Sequence, residues 1–274
     1  MIFDRARIAG NLARRPADRD DFVTRLVLDD LAERLSTLKR NFTRALAIGP
    51  SADLLPTDGV SANGPFRFEQ ALSLPIGPDG ALGIAGSDYQ LIVSILDLQA
   101  LDDVPGYLAQ LARRLAPDGL VMAVALGGDS LRELRDAFLT ADLEVNGGAY
   151  ARVAPFIAVR EAGGLLQRAG LALPVADIET LTVRYPDTLA LMRELKALGA
   201  ANPLSDRARR PATRRLVLAA EAAYRRNHAD IDGKLRATLD LLWLSGWAPH
   251  ESQQKPLKPG SARISLAQAL NPKG

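Results

Sequence analysis

The chain of 274 residues contains no cysteine, which excludes a disulfide framework, a thiol nucleophile and zinc sites built on thiolates. Histidine is almost as scarce: His228 and His250 lie in different segments, so no metal centre is expected. Aromatic residues make up only 5% of the chain and do not interleave with the scattered arginines, and no nucleic-acid-binding motif is present. No apolar run reaches the roughly 18 residues that a membrane-spanning helix requires. The opening Met1-Ile-Phe-Asp-Arg-Ala-Arg-Ile is charged from its fourth residue and lacks the apolar core of a signal peptide. An excess of one charge is missing as well, because 34 basic residues face 32 acidic ones for a formal charge of +2. These absences predict no nucleic-acid partner, no membrane span and a cytoplasmic location.

What is present is a hydrophobic fraction of 47%, enough for a sizeable core in one α/β domain with additions. Residues 20–39 place Phe22, Leu26, Leu31, Leu35 and Leu38 near the helical period, which predicts an amphipathic helix. Residues 44–49 form a short apolar strand. Two turn-rich stretches follow, at 55–65 and 75–86, leaving little room for a second strand and helix. The pattern then becomes regular: a strand at 89–96, a helix at 104–115, a turn at Pro117-Asp-Gly119 and a buried strand at 120–126. That succession makes a right-handed parallel unit. Asp129 or Ser130 is placed to cap the next helix, with Glu133 completing a capping box. Further helices are expected at 159–169, 188–198 and 213–227, and strands near 173–183 and 235–247.

The run Arg44-Ala-Leu-Ala-Ile-Gly-Pro-Ser-Ala-Asp53 sits where a nucleotide-binding sheet wants a glycine-rich turn whose backbone N–H groups face an anionic or zwitterionic ligand. It supplies one glycine, Gly49. Pro50 has no N–H to donate, and Ser51 and Asp53 put side chains where close approach would be needed. Losing one charged hydrogen bond costs about 1.5–3 kcal/mol, so two losses weaken binding about a hundredfold or more. An ordinary strand-to-helix turn explains the same residues.

From Tyr89 onward the pattern resembles the class I S-adenosylmethionine-dependent methyltransferases. The runs Leu126-Gly-Gly-Asp-Ser-Leu-Arg-Glu-Leu-Arg135, Arg152-Val-Ala-Pro-Phe156, Leu166-Gln-Arg-Ala-Gly170, Thr180-Leu-Thr-Val-Arg-Tyr185 and Gly246-Trp-Ala-Pro-His-Glu-Ser-Gln-Gln-Lys-Pro-Leu-Lys-Pro-Gly-Ser261, with Phe3-Asp-Arg-Ala6, sharpen the likeness. Together they resemble bacterial relatives of a mitochondrial complex I assembly factor, a methyltransferase-like group related to the malonyl-carrier methyltransferases. The resemblance implies a Rossmann-like α/β fold: a mostly parallel sheet flanked by helices, with a shortened second-strand region and helical additions. One domain over 1–274 is expected, divided into a helical cap (1–43), a first sheet half with the cofactor loop (44–126), helical insertions and a substrate rim (127–234), and a last strand with a C-terminal loop (235–274).

The family's first motif reads as an acidic residue followed by Gly-x-Gly-x-Gly. Here the acidic position is Ala47 and the later glycines are Ser51 and Asp53; the ribose-holding acid after the second strand has no counterpart, and that strand and its helix look trimmed or lost. The resemblance therefore implies a degenerate cofactor site, with Gly49, Ser51 and Asp97 as its residues and S-adenosylmethionine as cofactor if it is active, none if it is not. It implies a protein-binding scaffold whose client is a respiratory complex subunit. An active methyltransferase and a protein arginine hydroxylase are the alternatives.

No catalytic residue stands out. Asp97 is either near the methyl donor or a solvated carboxylate at a strand end. Gly127, Gly128 and Asp129 line a substrate rim or make only a tight turn and helix cap. Arg132, Arg135 and Arg152 bind a carboxylate or partner, or else form surface salt bridges. Trp247, His250 and Glu251 belong to a docking loop or lid, or to an unstructured tail.

Overall fold

The computed structural model describes all residues except 75–79, 209–210 and 255–274. Seven strands among the described residues form one sheet in the order β2-β3-β1-β4-β5-β7-β6. They are β1 (Ala45–Gly49), β2 (Asp58–Ser61), β3 (Gly64–Leu72), β4 (Tyr89–Ile95), β5 (Leu115–Leu126), β6 (Ala172–Tyr185) and β7 (Leu235–Trp247). Strands β3, β1, β4 and β5 are mutually parallel, β7 runs antiparallel between β5 and β6, and β2 is an antiparallel edge on β3. This is the mostly parallel Rossmann-like sheet that the resemblance implies, with β7 reversed near one edge and β2 reversed at the other.

Strand alternation sorts the core into two layers. On one face Leu46, Ile48, Ile92, Val121 and Ala123 meet α3 (Val104–Ala112) and α5 (Val159–Arg168). On the other Ala45, Ala47, Leu91, Val93 and Met122 meet α2 (Phe22–Ser36), whose Val27, Leu31 and Leu35 recur at helical spacing. Asp21 starts α2 by accepting a hydrogen bond from the Thr24 N–H. A third cluster joins α4 (Arg132–Asn146), α6 (Thr188–Ala197) and α7 (Arg214–His228) to the ends of β6 and β7. The N-terminal α1 (Arg5–Ala13) packs through Ile8 beside Leu204.

Three expectations need correction. Residues 55–65 are not merely turns: Ala62-Asn63 closes the β2–β3 hairpin, with Gly64 at φ 130°, and β3 takes the place beside β1. The strand is thus retained. What is reduced is the helix after β1, here a single 3-10 turn over Ala52–Leu54. Pro117-Asp-Gly119 lies inside β5 as a bulge rather than before it; Asp118 has φ 59°, and a Cβ on Gly119 would lie 2.8 Å from the Tyr89 carbonyl oxygen. Lastly, α4 has no capping box. Leu131 stands at its start with φ 55° and no side-chain cap, while Ser130 and Glu133 bond to β7 instead.

Candidate functional site

A cavity of about 1030 Å³ opens above the carboxyl ends of the parallel strands, where Pro50 follows β1, Leu96 and Asp97 follow β4, and Leu126 ends β5. That is where ligands bind in open α/β sheets. The other walls come from α1, the start of α2, α4, residues 152–156 and the end of α6. A stretch after α6 covers it: Asn11 bonds the Ala201 carbonyl, Asp4 N–H donates to Pro203, and Phe3 bridges to Leu204.

The loop after β1 is held by ion pairs. The Arg15 guanidinium donates to the Ser51 hydroxyl at 2.7 Å, and Arg15 and Arg19 both bond the Asp53 carboxylate, which also accepts from Ser51. Both guanidiniums are largely buried, with side chains 5% and 12% exposed. Burial pulls the Asp53 carboxyl upward, but Ser51, Arg19 and Arg15 outweigh it and hold it below its ordinary value. Gly49 is glycine for packing: a Cβ there would sit 2.8 Å from the Ile95 carbonyl oxygen. Neither Gly49 nor Ser51 lines the cavity, although Pro50 and Leu54 do.

Asp97 does line it, and is no solvated carboxylate: it is 1% exposed, 3.4 Å from Arg5. Burial pushes its carboxyl up, against the lowering pull of Arg5, Ser73 and Tyr107. An acid whose folded value lies above its unfolded one loses stability as pH rises above about 4, because the unfolded chain then gives up its proton first. Asp97→Asn is therefore expected to match the native protein near pH 3.5 and to become the more stable of the two by pH 7. Urea midpoints across that range test this, and a difference that stays flat or falls with pH contradicts it.

The expected rim divides. Strand β7 outruns β5, whose pairing stops at Leu126 opposite Leu241, and residues 127–133 satisfy the edge left open. Gly127 N–H donates to the Asp240 carbonyl, Asp129 N–H to the Asp240 carboxylate, Leu131 N–H to the Thr238 carbonyl, and the Ser130 hydroxyl accepts from Asp240 N–H. A Cβ on Gly127 would lie 3.0 Å from that of Asp240, and one on Gly128 3.4 Å from Ala158 Cα. The glycines thus serve close packing and edge pairing. The Asp129 and Arg132 side chains remain exposed, 3.8 Å apart. Arg152 lines the cavity and holds the buried Asp142 in a bidentate pair at 2.6 and 2.7 Å, so it is not a surface bridge.

Trp247 and His250 are far from this site. Trp247 pairs with Leu120 at the opposite end of β5, under the Arg40 guanidinium, and the exposed His250 bonds Ser252. The loop beyond residue 254 lies outside the described residues. Among the described residues no group of three histidine, aspartate or glutamate side chains could hold a metal, and no helix is long and apolar enough to cross a membrane. Sequence reasoning missed Arg15 and Arg19; their spacing after α1 carried no signal without the fold that brings them to Asp53.

No protein-family model matches the chain. It is 32% identical over 264 residues to the mitochondrial arginine-hydroxylase NDUFAF5 of Danio rerio, covering 90% of this chain and 81% of the relative. The human protein of that name is 31% identical, covering 97% and 83%. The malonyl-[acyl-carrier protein] O-methyltransferase of Laribacter hongkongensis is 32% identical, with 94% of each chain covered. Among solved structures the YcgJ protein of Bacillus subtilis overlays 82% of the chain at 12% identity with a TM-score of 0.49.

Proposed function

Because the chain belongs to the methyltransferase-like family that includes NDUFAF5 and the malonyl-[acyl-carrier protein] O-methyltransferases, we propose that it is a member whose S-adenosylmethionine loop has been given up and whose scaffold binds a protein client. One observation carries this reading: the Asp53 carboxylate occupies two buried guanidiniums beside the loop, so the anion that Arg15 and Arg19 would hold is already supplied by the chain. The rest of the loop supports it. Pro50 offers no N–H, and a 3-10 turn of three residues replaces the helix whose N-terminus would face a ligand. The end of β3, Leu72-Ser73, carries no carboxylate for a ribose. These residues do not fit the cofactor in the family's usual manner.

The client is proposed to be a respiratory complex subunit, met in the cytoplasm by the exposed Asp129 and Arg132 and the neighbouring segment 152–156. Trp247 and His250 are left out of that surface because they lie at the other end of the sheet. An active methyltransferase is the second reading, favoured by the open cavity bordered by Pro50 and Asp97. Isothermal titration with S-adenosylmethionine and S-adenosylhomocysteine separates the two. No binding at millimolar ligand is expected, with no thermal shift; a micromolar complex would return the chain to donor-dependent chemistry.

A further inference from the structure

The cavity's charge and surface describe a ligand different from a nucleoside. Its walls are mainly apolar, with Ile8, Leu12, Leu134, Phe138, Val153 and Leu195 among them. Among the described residues five cationic side chains line it, against two carboxylates, Asp21 and Asp97. Three of the cations are matched by acids: Arg15 by Asp21 and Asp53, Arg152 by Asp142, and Arg207 by Asp4.

Two remain. Lys196, in the last turn of α6, forms no ion pair among the described residues. Among the described residues Arg7 has no salt bridge within 4 Å; the Asp4 carboxylate, whose charge it feels, is held at 3.1 Å by Arg207. The Arg7 Nε–H is buried without an acceptor. Arg7 is half-buried and Lys196 exposed, so both keep their charge in contact with water and neither has to give up a carboxylate of the described residues to meet an arriving anion. A cavity of this size, with apolar walls and a few convergent polar groups, has the form of a small-molecule site.

We propose that the cavity binds an anionic amphiphile, one carboxylate or phosphate head on an apolar chain, with the head between Arg7 and Lys196 and the chain along the wall of Ile8, Leu134, Phe138 and Leu195. Arg207 borders the same space with Asp4 already attached, so it steadies the wall and leaves the head to Arg7 and Lys196. The inference rests on the reading that a nucleoside donor does not hold this space.

The test is isothermal titration of the full chain with decanoate and decyl phosphate, beside 1-decanol and decyltrimethylammonium, all below their micellar concentrations. One anionic probe is expected to bind with one-to-one stoichiometry and at least tenfold more tightly than the neutral and cationic ones; the stronger of the two anions identifies the head. Arg7→Gln combined with Lys196→Gln is expected to raise the Kd of that anion at least tenfold while leaving 1-decanol unchanged. Since neither side chain makes a salt bridge among the described residues, thermal denaturation should show the variant folded as before. Anions that bind no more tightly than 1-decanol, or an unchanged Kd in the double variant, would overturn the proposal. Titrating S-adenosylmethionine into the protein separates the two conclusions: binding there overturns the functional reading, whereas failure of the anions overturns only this inference.

Discussion

Replacing Arg152 by alanine is expected to lower stability by about 3–5 kcal/mol, because it strands a carboxylate that has no access to water. Asp142 is fully buried in the third turn of α4 and holds Arg152 through two bonds, with a third from Asn146 at 2.7 Å. The guanidinium also lies 5.5 Å from the Phe138 ring centre and 5.8 Å from that of Tyr150. In a chain of this length the loss corresponds to a fall in Tm on the order of 10 °C. Arg152→Lys should fall between the two, since an ammonium cannot make the paired contact. Removing both charges, as Asp142→Leu with Arg152→Leu, should recover much of the loss, because the attraction of a buried pair is largely offset by its desolvation. Urea denaturation of the native protein and these three variants checks the expected order. An alanine variant within 1 kcal/mol of the native protein would mean that water reaches Asp142.

That pair marks a limit of what could be read from residues alone. Strand β4, and β5 from Leu120 onward, were legible as nearly continuous apolar runs, β7 as an apolar stretch interrupted by Arg236, Thr238 and Asp240, and α2, α5, α6 and α7 because their apolar residues recur at helical spacing. The β2–β3 hairpin was missed although Asn63-Gly64 with alternating Phe66 and Phe68 is a hairpin signal; the surrounding prolines and glycines drowned it. In α4, Glu133 and Asp142 share the face of Leu134, Ala137, Phe138 and Ala141, and acids on an apolar face announce buried partners. Which partners they find depends on the fold: Thr238 is 105 positions away, and Arg152 enters only because the chain folds back after α4. The cavity was legible only as a region. Asp97 was placed at it from the strand before it, whereas Arg7 and Lys196 come from helices, and Arg15 from the segment after one, whose positions the sheet alone does not set.

Glu133 is where the capping box failed and where the second large effect is expected. Its carboxylate accepts the Thr238 N–H at 3.0 Å and the Thr238 hydroxyl, closing the edge of β7 that β5 does not reach. Glu133→Ala leaves both donors buried without an acceptor. At about 1.5–3 kcal/mol for a hydrogen bond to a charged group, the loss should be about 3 kcal/mol or more. Glu133→Gln keeps one acceptor and turns an N–H toward the other donor, so it should retain about half of the interaction. Amide exchange separates this account from a helix-capping one. If the carboxylate serves β7, Thr238 should lose protection in the alanine variant while the first amides of α4 change little; the reverse order would restore the cap. Leu239, next in the strand, lines the cavity. The same substitution should therefore weaken binding of an anionic amphiphile without touching Arg7 or Lys196, because it also frees the start of α4, where Leu134 next to Glu133 belongs to the wall proposed for the apolar chain.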